Sequence, residues 1–168
     1  MNKVARSISP ELVKAYCEAD YVIHLADRDI VLKVGKTNPE LAILMRRYEV
    51  TTAAYLTAFN PFSAVSSSQE NDLNQSALIA DIYSLGLKYV LGEGRDVANL
   101  WASEASVLAM GISFESAEIL AKRYQQNAFL WISSGDGFVS LNLRYPIAAG
   151  MDAIQTSQFL SPRSGRLH

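Results

Sequence analysis

Between Thr51 and Leu143 the chain switches repeatedly from β-rich runs to stretches with helical spacing, and few architectures accommodate that alternation. Thr51 to Phe59 is β-branched, aromatic and alanine-rich. Asn60-Pro61 stops it, because proline removes a ladder donor and pushes the residue before it toward extended geometry. The serine-rich run from Phe62 to Asn71 reads as a loop, and Leu73, Ala77, Leu78, Ala80, Ile82 and Tyr83 predict a helix ending at Gly86. A short strand over Lys88 to Leu91 is broken by Gly92-Glu93-Gly94-Arg95-Asp96, which reads as a turn, and a further strand runs from Ser106 to Met110. Ser113 then caps a helix with Ala117, Leu120, Ala121 and Tyr124 on its buried face. Phe129 to Ile132 and Phe138 to Leu143 flank Ser133-Ser134-Gly135-Asp136-Gly137, which has hairpin-turn chemistry. The central β-α-β-β-α-β order is that of a ferredoxin-like sandwich.

Two helix starts precede this unit. Ser9-Pro10-Glu11 and Asn38-Pro39-Glu40 each pair a capping side chain with a proline at the first helical position, where no N–H is needed. Leu41, Leu44, Met45 and Tyr48 share one face of the second helix. Tyr21 to Leu25 and Ile30 to Val34 form a predicted hairpin between the two helices. The expected fold class is α+β, a mixed or antiparallel sheet covered by helices, ferredoxin-like with an added N-terminal helix and hairpin. Residues 1–8 read as an N-terminal extension and 9–143 as a single domain. Residues 144–168 read as a peripheral tail with weak helical spacing at Met151, Ile154 and Gln158.

With 168 residues, 49% of them hydrophobic, the chain has the apolar surface for one continuous core. Its formal charge of -2 provides no strong field for a phosphate backbone, which argues against nucleic acid as a partner. A lone cysteine, Cys17, cannot form an internal disulfide, and Met1 to Arg6 lead into no apolar h-region, so the cytoplasm is the expected compartment. No apolar run approaches the ~20 residues a bilayer span requires. No membrane association is expected.

Familiar motifs are incomplete. Gly35-Lys36-Thr37 resembles the end of a phosphate-binding loop, but Ile30 stands where its first glycine belongs. Gly92-Glu93-Gly94 has Val97 in place of the third glycine of a dinucleotide fingerprint. His24, His168 and Cys17 match no zinc spacing, so neither a metal nor a cofactor is expected. Phe59, Phe62, Trp101, Tyr124, Phe129 and Trp131 have the spacing of core aromatics. Arg46, Arg47, Lys122 and Arg123 fall on solvated helix faces.

A set of amides and carboxylates at element ends carries more chemistry: Asn60, Glu70, Asn71, Glu93, Glu104, Gln126 and Asn127. Such groups read hydroxyl and amine donors, although each also serves as a turn former or helix cap. One reading is a cleft for a small polar or nucleotide-like ligand. Asn60, Asn71, Gln126 and Asn127 would then be the ligand-binding residues, and Glu70 or Glu104 the candidates for acid–base work. At least four of Asn60, Glu70, Asn71, Glu104, Gln126 and Asn127 are then expected to line one cleft. The alternative is an interaction module that binds a protein partner or a second copy without catalysis.

Taken together, Thr57-Ala58-Phe59-Asn60-Pro61, Glu70-Asn71, Gly92-Glu93-Gly94, Trp101 with Glu104, Gly111-Ile112 and Gln126-Asn127-Ala128 resemble the bacterial family called domain of unknown function 3293. The resemblance covers about Ser9 to Leu143 and implies a family without an assigned activity. The family's last motif reads Phe-Gly-Gln-Asn-Ala, whereas this chain has Tyr124-Gln125-Gln126-Asn127-Ala128, and a positive φ at Gln125 would be strained. The family also carries an arginine after Glu-Asn, where this chain has Asn74 and Gln75, which removes an anion-binding group from that helix.

Overall fold

The computed structural model describes residues 5–99, 101–148 and 160–162. The expected helical spacing at Met151, Ile154 and Gln158 lies outside these residues. Helix α1 (Pro10–Glu18) starts where Ser9 Oγ accepts the Leu12 N–H at 3.2 Å, and α2 (Pro39–Arg47) where Asn38 Oδ1 accepts the Leu41 N–H at 3.0 Å. Helix α3 (Ser68–Ser84) begins earlier than its apolar spacing suggests, because Ser67 caps it through the Glu70 N–H. The serine-rich stretch read as loop therefore contributes the first turn of a helix. Ser113 caps α4 (Phe114–Arg123) as expected.

The strands are β1 (Asp20–His24), β2 (Asp29–Leu32), β3 (Ala53–Leu56), β4 (Lys88–Arg95), β5 (Glu104–Met110), β6 (Ala128–Ile132) and β7 (Ser140–Leu143). They form one sheet in the order β2-β1-β4-β5-β3-β6-β7, with every pairing antiparallel. Its inner four strands, β4-β5-β3-β6, have the order expected when two right-handed β-α-β units each straddle a strand of the other, which is the ferredoxin-like arrangement. The N-terminal hairpin extends the sheet beyond β4, and β7 extends it beyond β6.

The turn expected at Gly92-Glu93-Gly94 is instead the middle of β4, paired to β1 on one side and β5 on the other. The physical reason is tertiary. A Cβ at Gly92 would lie 2.1 Å from the Val22 carbonyl oxygen and 3.0 Å from the Tyr55 hydroxyl, so glycine is there for close approach. Strand β3 ends at Leu56 rather than Phe59, since the Thr57 hydroxyl donates to Ala105 O and accepts from the Phe59 N–H, turning the backbone out of the ladder.

Side chains alternate between two cores. Ala54, Leu56, Val107, Ala109 and Trp131 face α3 and α4, where Leu78, Ile82, Ala117 and Leu120 meet them. On the other, concave face Tyr55, Leu108, Met110, Leu130 and Ile132 pack with Val13 of α1 and Leu41, Leu44 and Met45 of α2. The sheet curls strongly around this second core. Its ends meet where Gly35 N–H donates to Val139 O at 2.8 Å and Val139 N–H to Lys36 O at 3.0 Å. Gly35-Lys36-Thr37 thus belongs to a closing contact of a half-barrel. Ile8 is buried and bridges Ile147, and Leu141 bridges Leu160, so the described parts of both flanking segments also pack on this unit.

Leu120 is 3% exposed. Leu120→Ala is expected to cost ~2 to 5 kcal/mol in a urea unfolding experiment; an unchanged midpoint would show that α4 does not seal the convex core.

Candidate functional site

At one end of the half-barrel the concave face is not filled. A cavity of about 240 Å³ lies between α1 and the sheet, walled by Leu12 and Tyr16 of α1, Tyr21 of β1, Tyr55 of β3, Leu130 of β6 and Leu141 of β7. Val65 and Trp101, from the loops after β3 and β4, stand at its mouth and are solvent-exposed. α2 and its apolar neighbours plug the opposite end. Gly94 also lines the space, between Tyr21 and Glu104 in adjacent strands, and a Cβ added there meets nothing within 4 Å.

The polar end of the cavity is organised by Asn60, which takes a left-handed conformation (φ 47°) as the chain leaves β3. Its backbone N–H donates to Asn71 Oδ1 at 2.8 Å, and Asn71 Nδ2 returns a bond to Asn60 Oδ1 at 3.0 Å. Asn60 Oδ1 also accepts the Ser66 N–H, so both of its lone pairs are engaged and the amide orientation is determined. Asn60 Nδ2 is thereby aimed at Glu104 Oε1, 2.9 Å away.

Glu104 opens β5 and projects into the cavity from beside Gly94. Burial raises its pKa above the usual carboxylate range, and the Asn60 hydrogen bond only partly opposes that. Among the described residues no Lys, Arg or His pairs with it. Burial likewise raises the phenols of Tyr16 and Tyr21, which stay neutral beside it. Gln126 completes the polar end, with Nε2 donating to Phe59 O and Tyr124 O. Asn127 Nδ2 donates to Ser63 Oγ, which lies 3.1 Å from the Tyr16 hydroxyl.

Of the six residues expected to converge, the structure therefore places Asn60, Glu104 and Gln126 in the cavity lining. Asn71 stands one bond behind, fixing Asn60, and Asn127 one bond behind, fixing Ser63. Glu70 is exposed in the first turn of α3, apart from this group. Glu93 is also separate, on the opposite side of β4 from the cavity, near His24 and hydrogen-bonded to Arg95. Tyr16, Tyr21, Tyr55 and Ser63 escaped the sequence reading because tyrosine in strand and helix phase resembles core. The available signal was the hydroxyl, which needs a partner when buried: Tyr21 donates to Tyr16 O at 2.6 Å and Tyr55 to Val22 O at 2.9 Å.

Residues 56–129 match the family model described as Protein of unknown function (DUF3293). The chain resembles this family. No curated protein and no solved structure gives a match. The part matched to DUF3293 carries Asn60, Asn71, Gly92, Gly94, Glu104 and Gln126, whereas α1 and β1, which bring Tyr16 and Tyr21, precede it.

Gln125 has φ 54°, and its carbonyl accepts the Phe62 N–H at 2.6 Å. A left-handed non-glycine residue costs ~1 to 3 kcal/mol, partly offset by the greater chain entropy glycine loses on folding. Gln125→Gly is therefore expected to stabilise the fold by about 1 kcal/mol in urea unfolding, and a destabilisation would show that the Gln125 side chain has a bonding role.

A second expectation concerns pH. The folded state binds the Glu104 proton more tightly than the unfolded chain does, so its contribution to stability falls as pH rises from the unfolded carboxylate pKa through the raised folded one. Glu104→Gln should flatten the decline of unfolding free energy as pH rises above about 4, the ordinary value for a glutamate in the unfolded chain. An identical slope in the variant would mean that Glu104 titrates as a solvated carboxylate.

Proposed function

We propose that this chain binds a small polar ligand in the cavity between α1 and the concave face of the sheet. What carries the reading is a space held open at Gly94 whose polar end contains a single carboxylate, Glu104, oriented by the Asn60 amide. An amide pair as fully bonded as Asn60 and Asn71 fixes a side chain more firmly than a loop turn requires. A cavity of about 240 Å³ suits a compact ligand. Among the described residues the lining includes no Lys, Arg or His to give a phosphate a counter-charge, so the nucleotide-like reading narrows to a base without phosphates.

Should the site carry a reaction, Glu104 is the group that exchanges the proton. It is the only carboxylate of the lining among the described residues, its raised pKa brings it toward neutrality, and the amides around it cannot titrate. Glu70, which faces solvent, supplies no such chemistry at this cavity.

The test is to fill the space from the strand itself. A valine at position 94 projects between Tyr21 and Glu104, and strands tolerate valine well. In ligand-detected NMR against a panel of small metabolites, wild-type protein is expected to give hits that Gly94→Val loses while keeping a cooperative unfolding transition. Hits shared equally by both proteins, or none with the wild type, would overturn the proposal.

A further inference from the structure

We propose that the ligand is a cation, an organic ammonium or amidinium whose charged end meets the Glu104 carboxylate inside the aromatic cavity; this rests on the cleft being a ligand site. Among the described residues the polar lining has more free acceptors than free donors. Tyr21, Tyr55 and Thr57 all donate their hydroxyl hydrogens to backbone carbonyls, and Gln126 donates from Nε2 to two more. The oxygens of Tyr21, Tyr55 and Gln126 remain as acceptors, and Thr57 Oγ1, which also accepts the Phe59 N–H, keeps one lone pair. Asn60 has both lone pairs engaged and one Nδ2 hydrogen on the Glu104 carboxylate, which receives no other hydrogen bond from a described residue, the Ser106 hydroxyl donating to the Glu104 backbone carbonyl instead.

The donors that remain are few and uncharged: the second Nδ2 hydrogen of Asn60, one hydroxyl hydrogen on the Tyr16–Ser63 pair, and the Trp101 indole N–H at the mouth. A ligand rich in acceptors, or an anion, would meet that shortage and the Glu104 charge together. A cationic donor meets the reverse. It supplies N–H groups to acceptors that lack them, gives a poorly solvated carboxylate a counter-charge that no described residue provides, and lies among tyrosine rings whose faces attract cations. Tyr16, Tyr21 and Tyr55 stay neutral because burial raises their pKa values, so they neither compete for nor repel the charge. Binding such a ligand favours ionised Glu104, so its affinity increases as pH rises through the pKa of that group.

Benzylamine, benzyl alcohol and benzoate form a matched series of one shape and three charges. They suit the cavity, since a pocket of about 150 Å³ takes benzene. Titration of each into ¹⁵N-labelled protein, read at the Trp101 indole signal, is expected to show benzylamine binding about tenfold or more tightly than the alcohol, and benzoate weakest. Glu104→Gln should bring amine and alcohol to parity, Glu93→Gln should leave the preference intact, and Gly94→Val should abolish binding of all three. Alcohol or benzoate binding as well as the amine, and lost in Gly94→Val, would overturn the charge preference while leaving the cleft as a ligand site. Amine binding undiminished in Gly94→Val would place it elsewhere and overturn the proposal. Failure of all three to bind would also overturn it, and the metabolite panel then decides separately whether the cleft binds anything.

Discussion

One hydrogen bond spans the hollow of the half-barrel and measures its curl. Tyr55 of β3 and Val22 of β1 are separated in the sheet by β5 and β4. Three strand spacings of ~4.8 Å would hold them ~14 Å apart on a flat sheet, beyond the reach of a tyrosine side chain. Yet the Tyr55 hydroxyl donates to the Val22 carbonyl at 2.9 Å. The sheet is curled enough for the phenol to span the chord, and Gly92 lies beneath it with no side chain to obstruct either partner. Curl, cavity and glycine motif are therefore one feature. A flatter sheet would leave α1 lying on an open face, and the space bounded by Tyr16, Tyr21 and Leu141 would be a shallow groove.

That dependence explains what was legible in the sequence. Local chemistry reads locally, and Ser9, Asn38 and Ser113 cap the helices they were expected to cap because the side chain and its N–H lie three residues apart. The order of elements follows from period alone, and Leu41, Leu78, Ala117 and Leu120 are buried as helical phase requires. Gly92-Glu93-Gly94 was misread because glycine signals a turn when only neighbours in sequence are considered. Its real partners, Val22 and Tyr55, lie tens of residues away, and nothing near position 92 advertises them.

The site was legible in the same partial way. Asn60, Glu104 and Gln126 stand out as polar residues near the ends of strands, and all three line the cavity. Asn71 and Asn127 carry the same signal but act at one remove, holding side chains that line the cavity. Glu70 is adjacent to Asn71 in sequence, yet a helix turns consecutive residues by about 100°, so the pair cannot share a face. The convergence of α1 and β1 on this end was beyond reach, because it follows from the curl.

The backbone strain has a related distribution. Six described non-glycine residues take positive φ; Glu49 and Asn99 lie in other turns, and Asn60, Phe62, Ser63 and Gln125 belong to the two loops at the polar end of the cavity. Those loops are tied together by the Phe62 N–H donating to Gln125 O, and by Gln126 Nε2 donating to Phe59 O. Strained residues persist only where the surroundings over-determine them, and here the surroundings are the Asn60–Asn71 amide pair, the Ser66 N–H and the Asn127–Ser63 bond. Were the loops only connectors between β3 and α3 and between α4 and β6, relaxed turns would serve. Their left-handed geometry instead turns Asn60 toward Glu104 and brings Ser63 back to Tyr16, so the strain is located where it sets the direction of side chains facing the cavity. A rigid polar end facing an otherwise apolar pocket is the arrangement expected of a site that discriminates among ligands by the placement of one charge.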